Sequence, residues 1–166
     1  GRMRVLEGKN DTILIDDTYN SSPAAAEAAL KTLYDVDALE RIAVLGSMNE
    51  LGETSEEEHK KLGEFCDAKK LNLVVTIGEE AKKYLAPAAK KAGCKVVSFL
   101  NPKLAGEYIE EHASRFAVIL YKGSQNGVYA EEALKCMLKN KADSEKLVRQ
   151  SKLWMNQKKE ILKKAK

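Results

Sequence analysis

The sequence predicts an α/β domain built on an open, mostly parallel sheet of about six strands, one of them antiparallel, with helices on both faces. Three observations carry that reading. Short apolar runs alternate with longer stretches of helical periodicity. The runs lack polar alternation, as strands buried on both faces do. Several end on a glycine or a polar cluster, and helix-starting residues follow.

The elements follow in chain order. Met3 to Leu6 can pair with Thr12 to Ile15 as a hairpin around Gly8-Lys9-Asn10-Asp11, which supplies the antiparallel strand. Thr12 to Ile15 ends in Asp16-Asp17, and Pro23, at a favoured first helical position, opens an alanine-rich helix to Tyr34. Ile42 to Leu45 is a strand ending in Gly46. Ser55 reads as the N-cap of a helix from Glu56 to Lys69, with Glu58 completing a capping box. Leu73 to Ile77 is a strand ending in Gly78, and a helix from Glu79 to Ala92 stops at Gly93. Val96 to Phe99 and Ala117 to Tyr121 are further strands, separated by a helix from Pro102 to His112. Ala130 to Leu138 reads as a helix, and Asp143 or Ser144 opens a last long one running towards Ile161.

Composition narrows the function classes. With 166 residues the chain fits one domain, and 44% hydrophobic residues suffice for a core. A net charge of +3 on a chain that is 32% charged does not suggest a nucleic-acid binder. Basic residues crowd the C-terminal end at Lys158, Lys159, Lys163, Lys164 and Lys166, and read as a solvated helix end. The 3 cysteines, Cys66, Cys94 and Cys136, form no CxxC pair, and with 2 histidines no zinc spacing arises. Free, mostly buried thiols in a reducing compartment are expected. No apolar run nears the ~20 residues a membrane span needs, and no signal peptide opens the chain. The expectation is a cytoplasmic protein without membrane insertion.

In an open α/β sheet, ligands sit outside the carboxyl ends of the strands. The residues there are Asp16-Asp17-Thr18-Tyr19-Asn20, Gly46-Ser47-Met48-Asn49-Glu50, Gly78-Glu79 and Lys122-Gly123-Ser124-Gln125-Asn126. In the first loop a carboxylate can accept from ribose hydroxyls, Tyr19 offers a flat face to a base, and Asn20 both donates and accepts. The same residues could equally cap the helix at Pro23. The glycines of the second loop suit a tight strand-to-helix connection. Lysine, glycine and side-chain donors in the third could hold a carboxylate or phosphate. No Walker A string and no Gly-x-Gly-x-x-Gly occurs. His112, near a helix end, and Trp154 read as structural.

Taken together these loops resemble the Mur ligase family, in the branch that adds D-alanyl-D-alanine to a UDP-N-acetylmuramoyl peptide. Asp16-Asp17-Thr18-Tyr19-Asn20-Ser21-Ser22-Pro23 looks like its Asp-Asp-x-Tyr-Asn-x-Asn-Pro motif. Val44-Leu45-Gly46-Ser47-Met48-Asn49-Glu50-Leu51-Gly52-Glu53, followed by His59 and Gly63, is similar to its Val-Leu-Gly-Asp-Met-x-Glu-Leu-Gly-Glu…His…Gly segment. Lys122-Gly123-Ser124 matches its late Lys-Gly-Ser, and Gly1-Arg2 the Gly-Arg entering its third domain. The resemblance runs in order from residue 1 to about residue 140; residues 141–166 would be a C-terminal helical extension of the same domain.

The resemblance implies a Rossmann-like C-terminal domain that closes over ATP and presents the incoming amine. It implies a Mg ion held mainly by a central P-loop domain, and partnership with the N-terminal and central domains of the same ligase. Substrates would be the UDP-N-acetylmuramoyl peptide and D-alanyl-D-alanine, with no nucleic acid. The substrate carboxylate is phosphorylated by ATP, and the amine displaces phosphate to form an amide. Carried over residue by residue, Arg2, Asp17, Tyr19 and Asn20 would bind nucleotide. Ser47, Asn49, Glu50, His59, Lys122 and Ser124 would face the incoming dipeptide. Without a P-loop the chain alone is expected not to turn over ATP. This sequence departs from the family at Ser47, where Asp is usual, at Ser22, where Asn is usual, and after Ser124, which leaves the incoming amino component open. A related folylpolyglutamate or cyanophycin-type ligase domain, or a stand-alone binding module without catalysis, are the alternatives.

Overall fold

The computed structural model describes residues 3–165. Six strands form one sheet in the order β1-β2-β6-β3-β4-β5. They are β1 (Arg4–Glu7), β2 (Ile13–Asp17), β3 (Arg41–Gly46), β4 (Leu73–Ile77), β5 (Val96–Phe99) and β6 (Val118–Lys122). Only β1 runs antiparallel, paired with β2 by Val5 opposite Ile15 and Leu6 opposite Leu14. The other neighbours are parallel.

Each face of the sheet carries its own core, because side chains alternate along each strand. Ile42, Val44, Ile119 and Tyr121 enter one core with α4 (Pro102–His112) and α5 (Ala130–Lys135). Ala43, Leu45, Val118 and Leu120 enter the other with α1 (Pro23–Asp35) and α2 (Ser55–Phe65). The split follows from connectivity. From β2 the chain crosses to β3, then β4 and β5 in one direction, and α4 returns it to β6 between β2 and β3. Right-handed crossovers put helices of opposite travel on opposite faces. The direction of travel therefore reverses at β6, between β2 and β3.

Several boundaries differ from the sequence expectation. Thr54 already has helical φ/ψ, so no extended residue precedes α2, and the expected Ser55 cap with its Glu58 box does not form. The Ser55 hydroxyl instead lies 3.2 Å from His59 Nδ1. α2 ends at Phe65 rather than Lys69, because Cys66 is extended and the carbonyl and carboxylate of Asp67 fold the next residues into a turn. The helix expected over 79–92 contains a π turn at Ala81–Leu85 before α3 (Ala86–Lys91). Pro87 has no N–H for Lys83 O, and the widened turn absorbs that loss.

The last helix is the largest correction. Lys141–Lys146 is a 3-10 turn, Leu147 drops into the core beside α5, and Arg149 takes a left-handed backbone (φ 55). α6 (Lys152–Leu162) starts only after Ser151, whose Oγ accepts from Trp154 N. Burying Leu147 and Arg149 interrupts what would otherwise be continuous helix. Lys158, expected to be solvated, is fully buried. Among the described residues no helix is long and apolar enough to cross a membrane.

Candidate functional site

The strand register builds the site. Parallel pairing sets Asp17 opposite Lys122, so both side chains leave the sheet on the same side. Lys122 Nζ lies 3.1 Å from Asp17 Oδ2 and also donates to the Asn20 carbonyl. One ammonium thus ties the end of β2 to its following loop. Asp16 points to the other face and serves that loop internally, its Oδ1 accepting from Thr18 N and Thr18 Oγ1 (2.6 Å). Ser22 caps α1 by accepting from Ala25 N. The capping and ligand readings of this loop therefore separate only in part: Asp16 holds its shape, Asp17, Tyr19 and Asn20 line a cleft, and Ser22 both caps α1 and lines that cleft. The cleft measures about 300 Å³ and is completed by Ser21, Ala25 and Lys122. Tyr19 is 47% exposed there.

The loop after β3 joins the same end. Asn49 N donates to Ser124 Oγ (2.8 Å) and Asn49 Nδ2 to the Asn126 carbonyl (2.6 Å), which clips it to the loop after β6. The two backbones touch: a Cβ on Gly46 would meet Val128 Cγ1 at 2.3 Å and Gly123 Cα at 3.1 Å. Glycine at 46 is thus a packing requirement. Glu50 is exposed with φ 65.

Ser47 and His59 work behind the loop. Ser47 Oγ accepts from Ala81 N (3.0 Å), at the start of the Ala81–Leu85 turn. His59 is fully buried, its Nε2 accepting from Met48 N (2.9 Å) and its Nδ1 lying 2.7 Å from the Ser55 carbonyl. An acceptor at Nε2 and a carbonyl at Nδ1 place the ring proton on Nδ1. The imidazole is a strut between α2 and the loop, and it reaches no open surface. Of the residues singled out in the sequence, the structure brings Asp17, Tyr19, Asn20, Lys122, Asn49 and Ser124 to one end of the sheet, sets Ser47 and His59 beneath, and leaves Arg2 outside the described residues.

Sequence reasoning missed a second layer. Glu131 and Glu132, in the first turn of α5, are buried against Arg149 and Lys158 from the tail. Arg149 donates to Glu131 through Nε (2.7 Å) and Nη2 (2.8 Å), and Lys158 Nζ donates to Glu132 Oε1 (2.7 Å). Two adjacent carboxylates inside the apolar stretch Val128 to Leu134 were the available signal. Burial alone pushes the Glu132 carboxyl up, but the hydrogen bond and charge of Lys158, with Lys135, hold it below its ordinary value.

Other features carry less chemistry. A larger cleft, about 520 Å³, lies between α2 and α3 and is lined by Lys60, Lys83 and Tyr84, with none of the strand-end residues. All three cysteines are free, and burial pushes the thiols of Cys66 and Cys136 up to about 12 and about 11. Such thiols are poor nucleophiles. Among the described residues no cluster of three or more His, Cys, Asp or Glu is placed to hold a metal ion.

Fold and site define a class: an open α/β domain whose polar cleft lies at the carboxyl ends of β2 and β6, where the winding reverses. The model of the Mur ligase, glutamate ligase domain family matches residues 1–125, and the chain belongs to that family. It is 29% identical over 142 residues to the UDP-N-acetylmuramoyl-tripeptide–D-alanyl-D-alanine ligase of Bacillus subtilis, covering 84% of this chain and 31% of that protein. The Haemophilus influenzae ligase of the same name is 30% identical over 129 residues, covering 76% and 27%. Among solved structures, the MurF ligase of Thermotoga maritima in complex with ADP superposes with a TM-score of 0.69 at 28% identity, covering 88% of this chain and 31% of that one. MurF of Acinetobacter baumannii gives 0.67 at 26%, covering 88% and 30%. The chain therefore spans under a third of the length of these relatives.

Proposed function

We propose that this chain is the C-terminal, closing domain of an ATP-dependent amide ligase that adds D-alanyl-D-alanine to a UDP-N-acetylmuramoyl peptide, with residues 1–140 forming the domain proper and 141–166 its extension. The observation that carries the reading is the convergence of three motif loops on one end of the sheet, joined by Lys122 to Asp17 and by Asn49 to Ser124. The names of the relatives and the ADP in the Thermotoga structure point the same way.

In this reading Asp17, Tyr19 and Asn20, with Arg2, take the nucleotide. A carboxylate suits ribose hydroxyls, and an aromatic face suits a base. Lys122 holds Asp17 and places positive charge where polar ligand groups enter. Asn49, Glu50 and Ser124 face the incoming dipeptide, and Ser47 and His59 hold their loop in place. The domain's contribution is positioning and exclusion of water while the amine attacks the activated carboxyl. The Mg ion that the family implies finds no donor cluster among the described residues, and no step here runs through it.

The test is ADP release by the full-length protein given ATP and the UDP-N-acetylmuramoyl tripeptide, with D-alanyl-D-alanine, D-alanine or L-glutamate as the amine. Turnover with the dipeptide alone is expected. Turnover with L-glutamate, and none with the dipeptide, overturns the substrate assignment. The 166-residue chain by itself is expected to release no ADP.

A further inference from the structure

Arg149 lies in the tail, beyond every motif loop, yet it grips the first of them. Its Nη2 donates to the Thr18 carbonyl (2.5 Å) and its Nη1 to the Tyr19 carbonyl (3.1 Å), 131 and 130 residues away in sequence. Its Nε and Nη2 meet the two oxygens of Glu131. The guanidinium is planar, with donors in fixed directions, so seating one edge on Glu131 aims the other. Glu131 is itself buried and shared with Lys158 Nζ at 3.1 Å. Lys158 also donates to the Arg149 carbonyl (2.7 Å), bracing the left-handed backbone there. The tail is tied down at further points: Trp154 packs edge-on against Tyr129, and Asn101 Nδ2 donates to the Leu162 and Lys164 carbonyls.

We propose that Arg149 is a positioning residue for the nucleotide loop, so that the tail belongs to the functional site. Two successive carbonyls held by one rigid cation fix the peptide planes on both sides of Tyr19. Those planes set where the Tyr19 ring and the Asn20 amide point in the cleft. The guanidinium reaches the cleft only through the loop's backbone. A lysine at 149 keeps the charge beside Glu131 but cannot span Glu131 and both carbonyls. The inference rests on the nucleotide reading of Asp17, Tyr19 and Asn20.

The experiment uses the full-length ligase with Arg149→Lys and Arg149→Gly. Steady-state kinetics are read for ATP and for D-alanyl-D-alanine, together with amide hydrogen exchange at Thr18 to Asn20 and thermal melting. Arg149→Lys is expected to raise the ATP KM on the order of tenfold, with the dipeptide KM within twofold of wild type and faster exchange at Thr18 to Asn20. Ethylguanidinium added to Arg149→Gly is expected to restore much of the lost ATP KM. An ATP KM within twofold of wild type in Arg149→Lys overturns the inference. So does a proportional loss of kcat and of both KM values that tracks the melting temperature, since that marks stability alone. A wild-type enzyme that ligates while the variant's ATP KM stays put sinks only this inference; a wild type that binds no nucleotide sinks the functional reading with it.

Discussion

At the residue scale, Lys122 is the side chain on which the candidate site turns. It and Asp17 are both largely buried, at 5% and 13% side-chain exposure. Removing one member of such a pair leaves the other charged and poorly solvated, which costs more than the pair itself contributes. Lys122→Met is expected to destabilise the chain by about 3 kcal/mol, the lower end of the range for broken buried pairs, because Asp17 keeps some solvent. The Asp17→Asn, Lys122→Met double variant should lose clearly less than the sum of the single variants in a urea-denaturation cycle. Additive losses would show that the two side chains do not act as a pair. His59 supports the loop rather than lining the cleft. Its motif position suggested substrate, but both ring nitrogens are engaged inside the protein, at Met48 N and the Ser55 carbonyl.

At the scale of elements, close approach decides which positions tolerate change. Gly63 sits in α2 where α2 meets α3, and a Cβ there would lie 2.5 Å from the Leu85 carbonyl oxygen and 2.7 Å from Ala88 Cβ. Alanine for glycine inside a helix normally stabilises by about 0.5–1 kcal/mol. Here the obstacle is partly backbone and cannot rotate away, so an overpacking cost of about 1–3 kcal/mol applies. Gly63→Ala is expected to lower the denaturant midpoint with an unchanged m-value; a raised midpoint would mean that the two helices part at little cost. The sequence showed this glycine as a motif position, and the packing supplies its physical reason.

At the scale of the whole molecule, the tail is fastened by buried charge, which makes its docking pH-dependent. The Glu132 carboxyl is held below its ordinary value by Lys158 and Lys135 against the opposing effect of burial. A depressed folded pKa stabilises above the unfolded value, about 4.3 for Glu, and that stabilisation is lost as pH falls through the folded value. Acidification below about pH 4 is therefore expected to weaken tail docking. Trp154, the single tryptophan of the chain, lies in α6 against Tyr129 and reports on it. Its emission should shift to the red on acidification, and Glu132→Gln should shift at neutral pH. A Trp154 signal that follows only global unfolding, in both proteins alike, would remove this account.

The sequence by itself determined the sheet, its antiparallel edge, the strand ends and the loops that meet there. Strand burial and strand ends are written in runs of neighbouring residues, and the family motifs lie within single loops. Asp17, Tyr19, Asn20 and Lys122 were legible for that reason. Tertiary structure alone decided which side chains support and which line the cleft. Asp16 and Asp17 are adjacent, yet strand alternation sends one to its own loop and the other to Lys122. Ser47 and His59 are turned inward by partners at Ala81 and Met48. The break in the last helix and the grip of Arg149 on Thr18 and Tyr19 depend on Glu131, 18 residues away, and on a loop at the far end of the chain. Local periodicity predicts continuous helix there. Burial of Leu147 and of a complete set of charge partners outweighs it, and no window of sequence contains both sides of that contact.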